Sequence, residues 1–440
     1  MSPRCCPPRN ASASPKSASS VMNNIWIRGK RFPMSSLSKF DIFKFARSLI
    51  LAAALPLGMT AAVMAPAAAQ AAETMSVEVG KPLQAAQKLA KAGKYAAAMK
   101  KTREAAAVKK KTAYESFVVN DFMGYLAARL GDYASAVKAY ETSYGSSYVP
   151  AAQKPKRLQA LADMAYRGKM YGKAASFASQ YQKSFGPDRH MQVLVMQSDY
   201  LRKDYPAAVK SAAVLVAAAE KSGKAPEESW LQIQMASAQQ AGDKKMQASA
   251  LRKLVKYAPS DVYWKQYLAD TQRAIGTSDR MTLELDRILR AKGYMDSSRR
   301  YMEAAQIAIQ LGLPGEAKAL MDEGFKKGVL GGKDKNRELR LLNMAKKLAA
   351  EDKQSLAKDA PSPKGKAALG EAYASYGQYD KAIALYKSAL AASFPEAGLT
   401  RLHLAQAYLA TGRKAEARKA LAGIKDGKAA KLAQAWLLLV

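Results

Sequence analysis

The stretch LGEAYASYGQYDKAIALYKSALAASFP, residues 369–395, decides the fold. Leu369, Gly370 and Tyr373 fall on one stripe of a helix, and Gly370 is small enough to admit a neighbouring helix. Gly377 can take the positive φ of a C-terminal cap and so ends that helix. Asp380 to Leu390 then read as a second helix, with Ala382, Tyr386 and Ala389 at i, i+4 and i+7 on one apolar face, and Pro395 stops it. Two short helices of this kind can bury their faces only against each other and against further copies of themselves.

Such copies run along most of the chain. Leu404, Ala405, Tyr408, Gly412, Ala417 and Leu421 repeat the register at once, and Gly124, Gly131, Tyr133, Ala136 and Tyr140 carry it near the front. Gly93, Tyr95 and Ala98 precede that copy; Leu161, Ala162, Ala165, Tyr171 and Ala174 follow it. Further copies pass through Tyr205 and Ala208, through Gly242, Leu251, Leu254 and Pro259, and through Ala305, Ala308, Gly312, Ala317 and Met321. The pattern resembles the tetratricopeptide repeat, lacking only the tryptophan usual near the start of its first helix, where Lys366 stands. The resemblance implies an all-α chain, a right-handed α-solenoid of about nine or ten helix pairs over residues 81–427, closed by a C-terminal capping helix at 428–440. Two places depart from the register: Trp264 to Leu289, with an altered turn at Gly276 to Asp279, and Arg337 to Lys358, helical but without the glycine and tyrosine markers.

A globular chain of 440 residues would divide into roughly two or three domains, a limit a solenoid escapes because each pair is buried by its neighbours. Ahead of the repeats, Lys39, Lys44 and Arg47 flank an apolar run from Leu49 to Met64, and Ala69-Gln70-Ala71 before Ala72 reads as a cleavage site. Residues 34–71 are therefore expected to be a signal peptide, 72–80 a short linker, and 1–33 an extension, Met34 being the more natural start. Pro56 and Gly58 interrupt the apolar run, which is short for a membrane span, so no transmembrane anchor is expected after cleavage. The expected location is the periplasm.

Both cysteines, Cys5 and Cys6, precede the signal, which leaves no thiol chemistry, zinc ribbon or disulfide for the mature chain. His190 and His403 are the two imidazoles, expected to lie apart on the surface or in a groove, and neither a metal nor a cofactor is expected. Lys and Arg number 70 against 36 Asp and Glu, a formal net charge of +34, most of it after residue 72. An exported protein this basic is expected to meet anionic glycans, lipid surfaces or acidic proteins. Nucleic acid is not favoured: Lys100-Lys101, Lys109 to Lys111, Lys326-Lys327 and Lys346-Lys347 are scattered, with no reading helix or stacking motif.

Catalytic signatures are missing. Gly328 to Asp334 lacks both the spacing and the Ser/Thr of a phosphate loop, and Ser135 to Lys138, an S-x-x-K match, sits inside a repeat helix with Ala136 at a packing position. Glu227-Glu228 fall at a helix start, where carboxylates complement the helix dipole. The chain is not expected to be an enzyme; a glycan-cleaving repeat protein would need a catalytic domain for which the repeats leave no room.

Function should then reside on a surface. The resemblance implies a concave face lined by the first helix of each pair, here Tyr125, Arg129, Gln159, Tyr166, Arg167, Gln197, Tyr200, Gln232, Gln239, Arg299, Met302, Gln306 and Gln310. Amide, phenol and guanidinium groups of this kind can hold a peptide backbone or a sugar hydroxyl. Tyr133, Tyr379 and Tyr386 are expected in the core, and Trp436 with Leu437 to Val440 over the last exposed face. The expected function is an exported, non-catalytic scaffold for protein–protein interactions in the bacterial cell envelope. The alternative is a scaffold for exopolysaccharide or peptidoglycan assembly that binds anionic glycan.

Overall fold

The computed structural model describes residues 75–356, 359–425 and 427–440. The expected extension, the signal peptide and the first residues of the linker lie outside the described residues. Among the described residues there are helices and no strand, as the repeat pattern requires. None of those helices is long and apolar enough to cross a membrane. The described residues divide into two compact units, one ending at Phe177 and the other beginning at Ala178.

The first unit holds the pairs α1 (Val77–Lys91) and α2 (Tyr95–Ala106), α3 (Ala113–Arg129) and α4 (Tyr133–Tyr144), then α5 (Lys154–Arg167) and the start of α6 (Tyr171–Phe185). From α1 to α5 each helix packs on the next in sequence order. Thr112 and Glu115 form a reciprocal capping box at the start of α3, and Glu115 reaches further to accept from the Ser76 backbone N–H at 2.7 Å and hydroxyl at 2.5 Å. That contact fastens the beginning of the first pair to the second. Arg157 of α5 likewise pairs with Asp121 of α3 while stacking on Phe117, 5.6 Å from the ring centroid.

The second unit continues with α7 (Arg189–Leu201) and α8 (Tyr205–Lys221), α9 (Glu228–Gln240) and α10 (Lys244–Tyr257), α11 (Asp261–Ile275) and α12 (Asp279–Lys292), and α13 (Ser298–Gln310) and α14 (Pro314–Lys326). A single long helix follows, α15 (Lys335–Ser355), and then α16 (Pro363–Ser375) and α17 (Tyr379–Ala389), α18 (Ala397–Ala410) and α19 (Lys414–Ala422), and α20 (Gly427–Leu437).

One turn recurs at almost every hairpin. The residue after it donates its N–H to a carbonyl five positions back: Asp132 to Ala127 at 2.9 Å, Asp243 to Ala238 at 2.8 Å, Gln378 to Tyr373 at 3.0 Å and Arg413 to Tyr408 at 2.8 Å. This is the Schellman closure, which satisfies an orphan carbonyl of the first helix and needs a left-handed residue beside it. Gly377, at φ +74°, supplies that residue as the sequence predicts; in two hairpins Lys169 (φ 58°) and Lys203 (φ 64°) take it instead, which is why those copies lack the glycine marker.

Gly124 and Gly370 show what the small residue in the first helix does. A Cβ on Gly124 would stand 2.8 Å from the Tyr140 ring, and one on Gly370 would stand 2.7 Å from the Tyr386 ring. In both copies the glycine makes the hole into which the second helix's tyrosine is pressed; Tyr386 is 1% exposed. Tyr133 and Tyr379, expected in the core with Tyr386, are instead half-buried, because each is the first residue of its helix and has core on one side only.

The two departures from the register are real structural events. Gly276 (φ +81°) breaks the chain between α11 and α12, which scarcely touch each other, and α20 packs against both of them as well as against α18 and α19. The chain's last helix therefore returns to its middle. At the other departure, α15 stands alone between two hairpins and packs on α13 and α14. Past it, α14 reaches α16 directly: a Cβ on Gly315 would lie 2.7 Å from the Ser375 carbonyl oxygen.

Candidate functional site

Within the second unit, α12, α14, α16, α18 and α20 form a ring in which each helix touches the next. These helices, with α15 and α17, line a partly open cavity of about 980 Å³. Its inner surface holds a charged network that joins helices far apart in sequence.

Arg287 of α12 is the hub. Its Nη1 donates to Glu284 at 2.6 Å, its Nε and Nη2 to the two oxygens of Glu316 on α14 at 2.8 and 2.6 Å, and its Nη2 also to Glu371 on α16 at 3.2 Å. Arg280, one turn of α12 earlier than Glu284, pairs with Glu371 as well. His403 on α18 bonds Glu284 through Nε2 at 2.7 Å, and because the carboxylate accepts, Nε2 carries the proton; Gln406 donates to the other Glu284 oxygen at 2.9 Å. Glu371 lies 3.7 Å from the same imidazole nitrogen. All of Glu284, Glu371 and His403 are buried.

Electrostatics keeps the network ionised in spite of its burial. Burial disfavours the Glu284 carboxylate, yet the fields of Arg287 and His403 and the bonds from His403 and Gln406 prevail and draw its pKa to about 2. Burial likewise opposes ionisation of Glu371, and His403, Arg287 and Arg280 together hold it below the usual carboxylate range. The guanidinium of Arg287, which burial would weaken as a cation, is raised by Glu284, Glu316 and Glu371. Three carboxylates are thus set against two guanidinium groups and one imidazole.

Glu284, Glu371 and His403 also present ligand atoms within 4.8 Å of one another, the donor types a divalent metal takes. Arg287 bonds both of these carboxylates, and Arg280 bonds Glu371. A dication there would have to displace guanidinium groups that already neutralise the site, so the residues fit an ion-paired lock better than a metal centre.

Beside the network the cavity is lined by small residues, Ala349, Ala350, Ala374, Ala407 and Ala410, by the aromatic Tyr376, Tyr379 and Trp436, and by further charges at Arg290, Lys318, Asp322 and Glu323. Tyr376 is fixed by a 2.5 Å bond from its hydroxyl to Asp352. The indole N–H of Trp436 is buried with no acceptor among the described residues. Lys346 and Lys353, seven residues apart and so on one face of α15, stand at the exposed edge.

The thirteen residues expected to line a concave face lie elsewhere than this cavity. Tyr125 and Met302 are buried at 7% and 6% exposure, because the first-helix stripe they occupy is the one that packs on the neighbouring helix; Tyr125 meets Tyr95 edge-on at 6.5 Å. Arg129 is spent on Tyr95, donating to its hydroxyl at 2.7 Å, and Gln232 on Glu228 and Tyr263 at 3.0 and 2.8 Å. Tyr166 and Tyr200 pair edge-on with Tyr171 and Tyr205. Gln159 and Gln197 are half-buried, and Arg167, Gln239, Arg299, Gln306 and Gln310 are exposed.

Which helices line the cavity is decided by α15. An unpaired helix inverts the alternation, so the cavity is lined by second helices, α12 and α14, on one side of it and by first helices, α16 and α18, on the other. His403, expected to meet only local neighbours, is instead bonded to a residue 119 positions away. His190 is exposed at the start of α7. A buried His, Glu or Arg on a repeat's packing face was the available signal: Glu371 sits inside the very stretch that defines the repeat.

The family model of the tetratricopeptide repeat matches residues 373–439. No curated protein matches the chain. Among solved structures, a tetratricopeptide repeat protein from Parabacteroides merdae ATCC 43184 is 10% identical, over 76% of this chain and 99% of that one, with a TM-score of 0.29. The Naa15/Naa10 complex bound to HypK-THB gives 15% identity over 78% of this chain and 52% of that one, with a TM-score of 0.35, so this chain spans about half of that relative. Yeast Tom70 gives 13% over 82% and 94%, with a TM-score of 0.22. Residues 373–439 thus match the tetratricopeptide repeat, and the described residues of the chain are built from helix hairpins and single helices.

Proposed function

We propose that the chain is an exported, non-catalytic scaffold that holds a protein partner in the periplasm of a bacterial cell. The observation that carries this reading is the tetratricopeptide match over 373–439, in a chain whose described part consists of helix hairpins and single helices. Repeats of this type bind protein partners. Export is supported by the charged flank, the apolar run and the A-x-A site between Lys39 and Ala72.

The chemistry of the cavity supports a holding role over a catalytic one. Among the described residues no hydroxyl or thiol is bonded to His403, whose Nε2 is taken by Glu284, and the carboxylates around it are neutralised by Arg280 and Arg287. A base that is already bonded, beside carboxylates that are already paired, has nothing to activate.

Capture from envelope extract on the immobilised mature chain, washed at low and then at moderate salt, tests the reading. Retention of a discrete protein through the moderate-salt wash is the expected result. Retention of anionic glycan alone would favour the assembly-scaffold alternative, to which the +34 net charge lends itself, and release of everything in proportion to salt would sink both. Fractionation of cells that express the full chain should place it in the periplasm; a cytoplasmic chain of unprocessed mass would overturn the export claim.

A further inference from the structure

The ionic inventory of the cavity is unbalanced in a particular way. Each lining acid has its cation: Glu316 has Arg287, Glu323 has Arg290 at 2.5 Å and Lys327 at 2.6 Å, Asp322 has Lys318 at 2.7 Å, and Glu371 has Arg280 and Arg287. Two lining cations, Lys346 and Lys353, have no carboxylate within bonding distance among the described residues. Lys346 and Lys353 are thus the lining cations left to a ligand, close to alanines that leave room for small side chains.

Its form restricts the ligand further. The ring of helices is closed by α20 against α12, and Arg287, Glu371 and His403 of the paired network line one part of the cavity, which is open to solvent elsewhere and so forms a bowl. A volume of about 980 Å³ lies at the upper end of the roughly 300–1,000 Å³ range of small-ligand sites. That is room for a few residues of peptide, entering as a chain end or a loop tip.

We propose that the bowl of the second unit binds an acidic peptide segment of the partner protein, with Lys346 and Lys353 of α15 supplying the charge and the alanine and aromatic walls taking its small side chains. This assignment rests on the scaffold reading and adds the chemistry of what is held. It places recognition on the one helix of the second unit's middle that belongs to no hairpin, and on walls that the repeat pattern does not mark. Lys346 and Lys353 are exposed and have no ion-pair partner among the described residues, so changing them leaves the fold's described contacts in place.

The probe is a fluorescein-labelled peptide of alternating glutamate and alanine with a free C-terminus, titrated by polarisation against the full mature chain at moderate salt. The same peptide with glutamine for glutamate is the neutral control. Saturable binding of the acidic peptide, at least about tenfold tighter than the neutral one, is expected. The double variant K346E/K353E should lose about tenfold or more, while K244E/K245E, an equal charge change on the exposed lysines of α10, should leave affinity unchanged. Circular dichroism and melting of both variants should match the parent. Equal losses in the two variants would reduce the effect to net charge and overturn the bowl; equal affinity for the neutral peptide would overturn acidic recognition; full competition by oligogalacturonate would make the occupant a glycan and overturn the peptide. A partner from envelope extract that K346E/K353E still retains would leave the scaffold reading standing and sink this one.

Discussion

The two units carry the same repeat and use it differently. In the first, the polar ties between hairpins are short in sequence: Arg129 to Tyr95 spans 34 residues, Arg157 to Asp121 spans 36 and Ser76 to Glu115 spans 39, each a reach to an adjacent pair. In the second, Arg287 to Glu371 spans 84, His403 to Glu284 spans 119 and Gln406 to Glu284 spans 122. The packing code is the same in both, as the Gly124–Tyr140 and Gly370–Tyr386 knobs show. What differs is the boundary condition. Solenoid energetics is a sum over nearest neighbours until one end finds another part of the stack, and α20 does so by packing on α11 and α12.

If the hub of that closure is Arg287, removing it should be the most damaging change. Arg287→Met leaves Glu284, Glu316 and Glu371 facing one another with Arg280 and His403 alone to compensate, and should cost about 3–5 kcal/mol. The matching change in the first unit, Arg157→Met, strands one carboxylate that is itself partly solvated and should cost about 1–3 kcal/mol. Urea unfolding followed by hydrogen exchange would locate each loss in its own unit. Equal costs would mean that the long-range network is no different in kind from a local pair.

Next in size is the clasp. Trp436→Ala should cost about 3 kcal/mol, at the lower end for a buried tryptophan because its N–H has no bond to lose. The diagnostic reading is spatial: amides of α11 and α12 should exchange faster, although they stand far from residue 436 in the chain. Faster exchange confined to α18 and α19 would show that α20 merely covers the last pair. Smaller again, and the same in both units, is the cost of filling the tyrosine holes. Gly124→Ala and Gly370→Ala each drive a Cβ into a ring and should lose about 1–3 kcal/mol apiece. A large inequality between them would mean that closure strains the second unit's hairpins.

The hairpins were legible because their determinants are local. Gly370, Tyr386 and Gly377 specify hole, knob and turn within one pair, and each does in the structure what its spacing implies. The cavity was not, because nothing in the register of one pair states where a stack will meet itself. Both departures from the register, at Gly276 and at α15, were visible in the sequence as broken pattern, and they turn out to be the places where α20 docks and where the lining changes sides. Glu371 was equally visible, a carboxylate between Gly370 and Tyr373 on a packing stripe, and a charge in that position asks for a distant counter-ion. Tyr125 and Met302, which the spacing puts on an open face, are buried, because a stripe position does not by itself state which side of the helix a neighbour covers.

The finest test lies within one helix. Glu284 and Asp286 are two residues apart on α12, hence on different faces, and their environments push them in opposite directions. Burial raises the Asp286 pKa to about 6, against the opposing field and bond of Arg300 at 2.8 Å, while Glu284 is drawn down to about 2. A raised carboxyl contributes stability that is complete below its ordinary 3.8 and is lost as pH climbs through 6; a lowered one contributes above 4.5 and is lost as pH falls toward 2. Asp286→Asn, which removes the buried charge and keeps the shape, should thus be close to neutral at pH 4 and stabilising at pH 7, by up to ~3 kcal/mol and less if Arg300 gains nothing from its freedom. The quantity to measure is the difference in urea midpoint between variant and parent across pH 4 to 7. A difference that stays flat over that interval, or that grows toward acid, would show that Asp286 is ionised throughout and that Arg300 offsets its burial completely.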